Sequence, residues 1–254
     1  MVKALVVRTA GTNTDLETVV ACEKAGFRVD LLHVNRLVER PALFGEYQLF
    51  IVPGGFSYGD DLGSGRVFAN EIRLRLMEPI REFVRAGNLV LGICNGFQVL
   101  VKSGLLPDPL AEGPPSVTLT FNDSGRFEDR WVRLKAVPSK CVWVTAGDFL
   151  ETAVTHGEGK FVAPAATLDR LEAAGQVVLK YVDASGAETG FPINPNGSLR
   201  NIAGICDPTG RVLGLMPHPE KHLDWTNHPR WTRKAPRDPD GLRLFRVAFE
   251  RLSR

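Results

Sequence analysis

One cysteine of this chain stands where nucleophilic chemistry is possible. Leu89-Val-Leu-Gly-Ile-Cys94-Asn-Gly-Phe-Gln98-Val-Leu100 reads as a short apolar run, a Gly-x-Cys-x-Gly corner and a segment with helical apolar spacing. This is the Gly-x-Ser-x-Gly nucleophile elbow with sulfur in place of oxygen, whose glycines permit a tight strand-to-helix turn that lifts the central side chain at a sheet's C-terminal edge. The unpaired N–H groups and positive dipole end of the following helix favour thiolate over thiol and can also bind an anion. A cysteine so placed can attack a carbonyl. For this stretch alone, a buried packing cysteine is the alternative.

A base and its orienter lie far along the chain, in Met216-Pro-His218-Pro-Glu220. Each proline fixes its own φ and pushes the residue before it towards extended geometry. In extended chain, residues two apart point the same way, so His218 and Glu220 can converge. Glu220 then accepts from one imidazole nitrogen and leaves the other to take the proton from Cys94. His222 and His228 compete for that role, but neither has a carboxylate locked two positions away between prolines. A third stretch, Pro53-Gly-Gly-Phe-Ser-Tyr-Gly-Asp-Asp-Leu-Gly-Ser-Gly65, lacks the Gly-x-Gly-x-x-Gly and P-loop patterns, which argues against NAD or ATP held in those modes. It reads either as a surface turn or as backbone that approaches a ligand closely and offers N–H groups to an oxyanion.

These residues need a scaffold. Lys3–Val7, Arg28–His33, Tyr47–Val52 and Asn88–Ile93 read as strands. Between them come helical segments, Asp15–Ala25 with Leu16, Val19, Val20 and Ala25 on its inner face and Gly26 as its stop, and Val67–Arg85. The alternation predicts an α/β fold, a doubly wound, mainly parallel, flavodoxin-like sheet with helices on both faces and ligands beyond the strands' C-terminal ends. Val117–Asn122, Arg130–Val137, Cys141–Val144, Ala153–His156 and Val177–Val182 predict an antiparallel extension. Ile202–Asp207 and Val212–Met216 predict a hairpin about Pro208-Thr-Gly210, and Gly241–Arg251 a closing helix with Leu242, Phe245 and Phe249 on one face. No domain boundary stands out, so residues 1–254 are expected to form a single domain.

Composition narrows the function classes. The 254 residues are 44% hydrophobic and 24% charged with a net charge of +2, which argues for neither nucleic acid nor a membrane surface. No apolar run approaches the ~18 residues of a spanning helix. Met1-Val-Lys-Ala-Leu-Val-Val enters a strand without a cleavable signal pattern, so the cytoplasm is the expected compartment. Cys22, Cys94, Cys141 and Cys206 show no metal-ligand or disulfide spacing; no metal is expected, and the three apart from Cys94 read as packing residues. The basic tail His228–Arg237, with Trp225 and Trp231, reads as a solvated loop or partner-docking surface rather than a nucleic-acid site.

Taken together, Pro53-Gly-Gly-Phe-Ser-Tyr-Gly-Asp60, Gly92-Ile-Cys-Asn-Gly-Phe-Gln98, His156-Gly-Glu-Gly159, Asn194-Pro-Asn-Gly-Ser198, Ile202-Ala-Gly-Ile205 and Gly214-Leu-Met-Pro-His-Pro-Glu220 resemble the glutamine amidotransferase subunit family of phosphoribosylformylglycinamidine synthase, within the class I triad amidotransferases. The resemblance implies a glutaminase that hands ammonia to a separate synthetase subunit, with no cofactor in this chain and ATP and Mg on that large partner, beside which a small accessory subunit can stand. It implies Cys94 as nucleophile, His218 and Glu220 as the rest of the triad, and backbone N–H groups of Gly54, Gly55 and Asn95 as the oxyanion hole. It also implies Gln98, Asn122, Ser124, Arg126 and Phe127 around the glutamine. Two stretches depart from the quoted motifs: Asp61-Leu-Gly-Ser-Gly-Arg66, and Trp225–Pro239, extra chain that is not matched to them. Rival readings are the glutaminase of another synthetase and a glutamine-binding regulatory module without turnover.

Overall fold

The computed structural model describes residues 1–254 apart from 112, 114 and 234, so Lys234 of the basic tail lies outside the described residues. Alternating helices and strands open the chain: Lys3–Arg8 (β1), Asp15–Ala25 (α1), Arg28–His33 (β2), Val34–Glu39 (α2), Leu49–Val52 (β3), Arg66–Glu71 (α3), Met77–Arg85 (α4), Leu89–Ile93 (β4) and Asn95–Ser103 (α5). There follow Thr118–Thr120 (β5), Glu128–Ala136 (β6), Phe149–His156 (β7), Lys160–Val162 (β8), Ala165–Ala173 (α6), Val177–Tyr181 (β9), Ile202–Cys206 (β10), Val212–Leu215 (β11) and Asp240–Leu252 (α7). Nine strands form one sheet in the order β2-β1-β3-β4-β11-β10-β9-β6-β7. The pairs from β2 through β11 are parallel, and those from β11 through β7 antiparallel. The first five strands have the flavodoxin-like order. Every residue of β3 and β4 is buried, as strands covered on both faces require.

The chain moves outward from β1 to β2, then returns past β1 to β3. With right-handed crossovers this reversal sends α1 to one face and the helices after β3 to the other, leaving a crevice where the loops after β1 and β3 part. α1 packs against α7, and α3 against α5. The antiparallel half curls back on the parallel half: His218, just after β11, bridges Ala153 of the edge strand β7.

Several predicted details are corrected. α1 buries Thr18, Ala21, Cys22 and Ala25, while Leu16 and Val20 are exposed. Its inner face is the small-residue face, which allows close approach to α7; Phe249 of α7 meets Phe27 edge-to-face at 5.1 Å. The helix predicted over 67–85 is interrupted by a π-turn at Ile72–Leu76. Pro79, in the first turn of α4, has no N–H to give the turn before it, so the helical ladder cannot run through. Cys141–Val144 is not a strand: the segment folds so that Trp143 is fully buried with its indole N–H donating to Arg211 O at 3.1 Å. Thr118–Thr120 does not extend the main sheet but pairs with β8 in a two-stranded sheet of its own. No helix among the described residues is long and apolar enough to cross a membrane.

The junction of β4 and α5 depends on two glycines that have no room for a side chain. A Cβ on Gly96 would lie 1.8 Å from Val52 O, and one on Gly92 would lie 2.7 Å from Gly96 O and 2.6 Å from Leu100 Cδ1. Backbone atoms cannot yield as a side-chain tip does. We expect Gly96→Ala to cost about 3 kcal/mol or more, the upper end of overpacking penalties, measured by chemical denaturation; an unchanged midpoint would contradict this close approach.

Candidate active site

Cys94 occupies the corner between β4 and α5 with φ 50° and ψ −104°. A non-glycine residue there is strained by about 1–3 kcal/mol. The corner is held by Cys94 N–H donating to Leu215 O at 2.8 Å and Gln98 N–H donating to Cys94 O at 3.1 Å. The thiol points over β7, with Sγ 3.7 Å from Thr155 O.

His218 arrives from β11. Its N–H donates to Ala153 O at 2.8 Å, and its carbonyl accepts from Thr152 Oγ1. The chain after it is not extended, as the prolines suggest, but turns in a 3-10 helix, Pro219–Lys221. That turn still brings Glu220 Oε1 to 2.6 Å from His218 Nδ1, with both side chains almost wholly buried. Glu220 Oε2 has no hydrogen-bond partner among the described residues. Burial lowers the pKa of His218. The charge of Glu220 outweighs this, aided by the charge of Cys94 and hydrogen bonds to both, and the imidazole is pushed up to about 10. At neutral pH the ring therefore carries both protons: Nδ1–H donates to Glu220, and Nε2–H faces Cys94 and Thr155 Oγ1, the latter at 3.0 Å. The sequence pattern anticipates a neutral base; in the folded pair the Glu220 carboxylate beside it favours the charged imidazole.

Beside Cys94 two backbone N–H groups, those of Gly55 and Asn95, have no acceptor among the described residues. Gly54 is the exception to the expected donor set, because its N–H donates to Thr14 Oγ1 at 3.0 Å. A cleft of about 220 Å³ opens over this corner. Asn13 and Thr14 line it from the loop after β1, Gly55 and Phe56 from the loop after β3, and Thr155, His218 and Lys221 from β7 and the chain after β11. These are the strand ends at which a doubly wound sheet binds ligands.

Of the residues expected around a substrate, Phe127 lines the cleft, stacked 6.4 Å from Phe56. The other four do not. Gln98 is buried, accepting from Asn95 Nδ2 at 3.0 Å and donating to Glu158 O at 2.6 Å. Asn95 also donates to Asp60 Oδ1 at 3.2 Å and accepts from Ser57 N–H at 3.2 Å, so the two amides tie the glycine-rich loop to α5. Burial raises the Asp60 carboxyl pKa against three hydrogen-bond donors that lower it. Asn122 belongs to a second knot, accepting from Gly159 N–H at 3.0 Å and donating to His156 O at 2.8 Å. Its Oδ1 also meets His156 Nδ1 at 3.1 Å, and His156 Nε2 meets Asn196 Nδ2 at 3.3 Å. Burial, with the positive charge of His218, lowers the His156 pKa to about 4, so it serves this knot as neutral imidazole. Ser124 donates to Glu128 Oε1 at 2.9 Å, and Arg126 is exposed away from the cleft lining. Thr14, Thr155 and Lys221 went unpredicted, since no local motif marks them.

The competing histidines lie elsewhere. His222 Nδ1 meets Glu151 O at 2.7 Å, His228 Nε2 meets Glu151 Oε2 at 2.9 Å, and both rings pack on Trp131. The segment Trp225–Pro239, which falls outside the motifs read from the sequence, is thereby fastened to β6 and β7. Its basic tail is partly neutralised, with Arg237 Nη2 2.8 Å from Asp240.

A cysteine on a strained elbow, a buried carboxylate-imidazole pair and two N–H groups with no acceptor among the described residues are the groups that acyl transfer from an amide calls for. The family model described as the CobB/CobQ-like glutamine amidotransferase domain matches residues 1–250, and the chain belongs to this family of glutamine amidotransferases. It is 47% identical over 252 residues to the phosphoribosylformylglycinamidine synthase subunit PurQ of Dehalococcoides mccartyi, covering 98% of this chain and 97% of that one. Its identity to the subunit of the same name from Methanococcus maripaludis is 40% over 262 residues, covering 98% and 96%. Among solved structures, a chain of PurLQS from Thermotoga maritima superposes with a TM-score of 0.75 at 30% identity, covering 99% of each chain.

The charge on His218 can be titrated. Its folded pKa lies above the unfolded value of 6.5, so the stabilisation is complete below pH 6.5 and is lost as pH rises through about 10. Denaturation midpoints of the wild type should therefore fall across that window and those of Glu220→Gln should stay flatter, while the imidazole NMR shift of the variant titrates below neutrality. Equal slopes for the two proteins would count against the pair as described.

Proposed function

We propose that this chain is the glutaminase subunit of phosphoribosylformylglycinamidine synthase. It hydrolyses glutamine and supplies ammonia to an ATP-dependent synthetase subunit that converts formylglycinamide ribonucleotide to the amidine in purine biosynthesis. The observation that carries this reading is Cys94 on its elbow, in one cleft with a buried His218–Glu220 pair, in a chain with near full-length PurQ relatives.

Cys94 as thiolate attacks the side-chain amide carbon of glutamine. The oxyanion of the tetrahedral intermediate takes the N–H groups of Gly55 and Asn95; loss of one such donor costs ~3–4 kcal/mol of transition-state stabilisation. His218 passes its Nε2 proton to the departing nitrogen, and Glu220 holds the ring in register through Nδ1. Ammonia leaves and a γ-glutamyl thioester remains. A water then attacks the thioester as His218 takes its proton, releasing glutamate and restoring the thiolate–imidazolium pair. Residues 1–254 act as a single amidotransferase domain in the cytoplasm, with no resident cofactor or metal. ATP and Mg belong to the large synthetase subunit, which a small accessory subunit accompanies. Ammonia in neutral water is mostly ammonium, a non-nucleophile, which favours transfer within such an assembly.

The test is ammonia release from glutamine by the chain alone and with its synthetase subunit. Cys94→Ala should lose glutamine-dependent amidine formation by at least about a thousandfold while synthesis from added ammonium salts persists. Full glutamine-dependent activity in Cys94→Ala would overturn the nucleophile. Activity indifferent to this synthetase would point to another partner, and none under any condition to a binding module.

A further inference from the structure

Lys221 ends the turn that carries Glu220, and its N–H donates to His218 O at 3.1 Å. The side chain lines the cleft above Cys94, and Nζ donates to Thr155 Oγ1 at 3.3 Å. The same hydroxyl contacts His218 Nε2 at 3.0 Å, so the ammonium stands one hydroxyl away from the reacting centre. Apart from Cys94 and His218, Lys221 is the one ionisable side chain lining this cleft. Among the described residues no carboxylate pairs with it; Lys135 and Lys140 also lack one, but neither lines this cleft, and Lys3, Lys24, Lys102, Lys160 and Lys180 are paired. A half-buried ammonium that no carboxylate pairs with among the described residues, facing a cleft, can receive an anion.

Glutamine brings such an anion. With its amide carbon at Cys94, its α-carboxylate lies four bonds away and must be accommodated in the same cleft. We propose that Lys221 recognises the α-carboxylate of glutamine and so determines specificity for the amino acid over simple amides. Thr155 holds the ammonium in place while the cleft is empty and yields it to the carboxylate. This inference rests on the glutaminase reading above. A different role for Lys221, positioning His218 through Thr155, predicts a different kinetic signature.

The experiment uses the full chain assembled with its synthetase subunit and follows ammonia release from glutamine and from 4-aminobutanamide, which is glutamine without its α-carboxylate. The readout is the ratio of kcat/KM for the two amides, in which the fraction of active enzyme cancels; for an analogue bound without turnover, its inhibition constant replaces KM. Lys221→Met should reduce the wild-type preference for glutamine by about ten- to a hundredfold, the range for one charge-assisted hydrogen bond, mainly through KM for glutamine. Lys221→Arg should keep most of the preference and Lys221→Gln an intermediate share. A loss that falls equally on both amides and resides in kcat overturns the proposal in favour of a positioning role. Absence of Cys94-dependent ammonia release in the wild type would instead overturn the glutaminase reading, and this inference with it.

Discussion

The site depends on how closely α5 approaches the end of β3. Gly96 has no side chain, so its helical turn rests directly against the Val52 carbonyl, where a Cβ would fall 1.8 Å from the oxygen. That contact leaves Cys94 little space in which to turn, and the residue takes the left-handed φ of 50°. The same approach sets the first N–H of α5 near the Gly55 loop, so that two donors without an acceptor among the described residues lie beside the cysteine. The corner at Cys94 and the donors beside it are thus consequences of one steric constraint, and the strain at Cys94 is balanced by the packing around it.

Electrostatics completes what packing begins. A carboxylate as buried as Glu220 is tolerable when an adjacent cation compensates it, and His218 becomes that cation because Glu220 and Cys94 favour its charged form over the penalty of burial. The pair is poor support for stability in itself, since a buried ion pair often contributes little over an apolar replacement. What the pair does is hold a proton on Nε2 at the cleft, as the proposed reaction requires.

Two polar knots hold the backbone around this centre. Asn95, Gln98 and Asp60 tie the glycine-rich loop to α5, while His156, Asn122 and Asn196 tie the chain after β7 to the loop at Asn196. Buried polar groups satisfied by one another rigidify what they connect. Phe56 and Phe127, by contrast, stay exposed at the rim of the cleft. The cup is rigid and its edge is open.

By itself the sequence determined what is local. The elbow is legible because two glycines around one cysteine leave few conformations, and the parallel half of the sheet because its apolar runs and helical spacings alternate. The near neighbours His218 and Glu220 were also readable as a pair, although a 3-10 turn rather than extended chain brings them together. Only the tertiary structure decided which side chains face the cleft. Gln98 and Asn122 turned inward to bond backbone, and Gly54 lost its N–H to Thr14. Thr155 and Lys221 entered because the antiparallel half curls until β7 meets the chain after β11. Local patterns specify backbone shape through sterics and hydrogen bonding between near neighbours. A cleft assembled from separate strand ends depends on crossover handedness and sheet curl, which no short stretch of residues encodes.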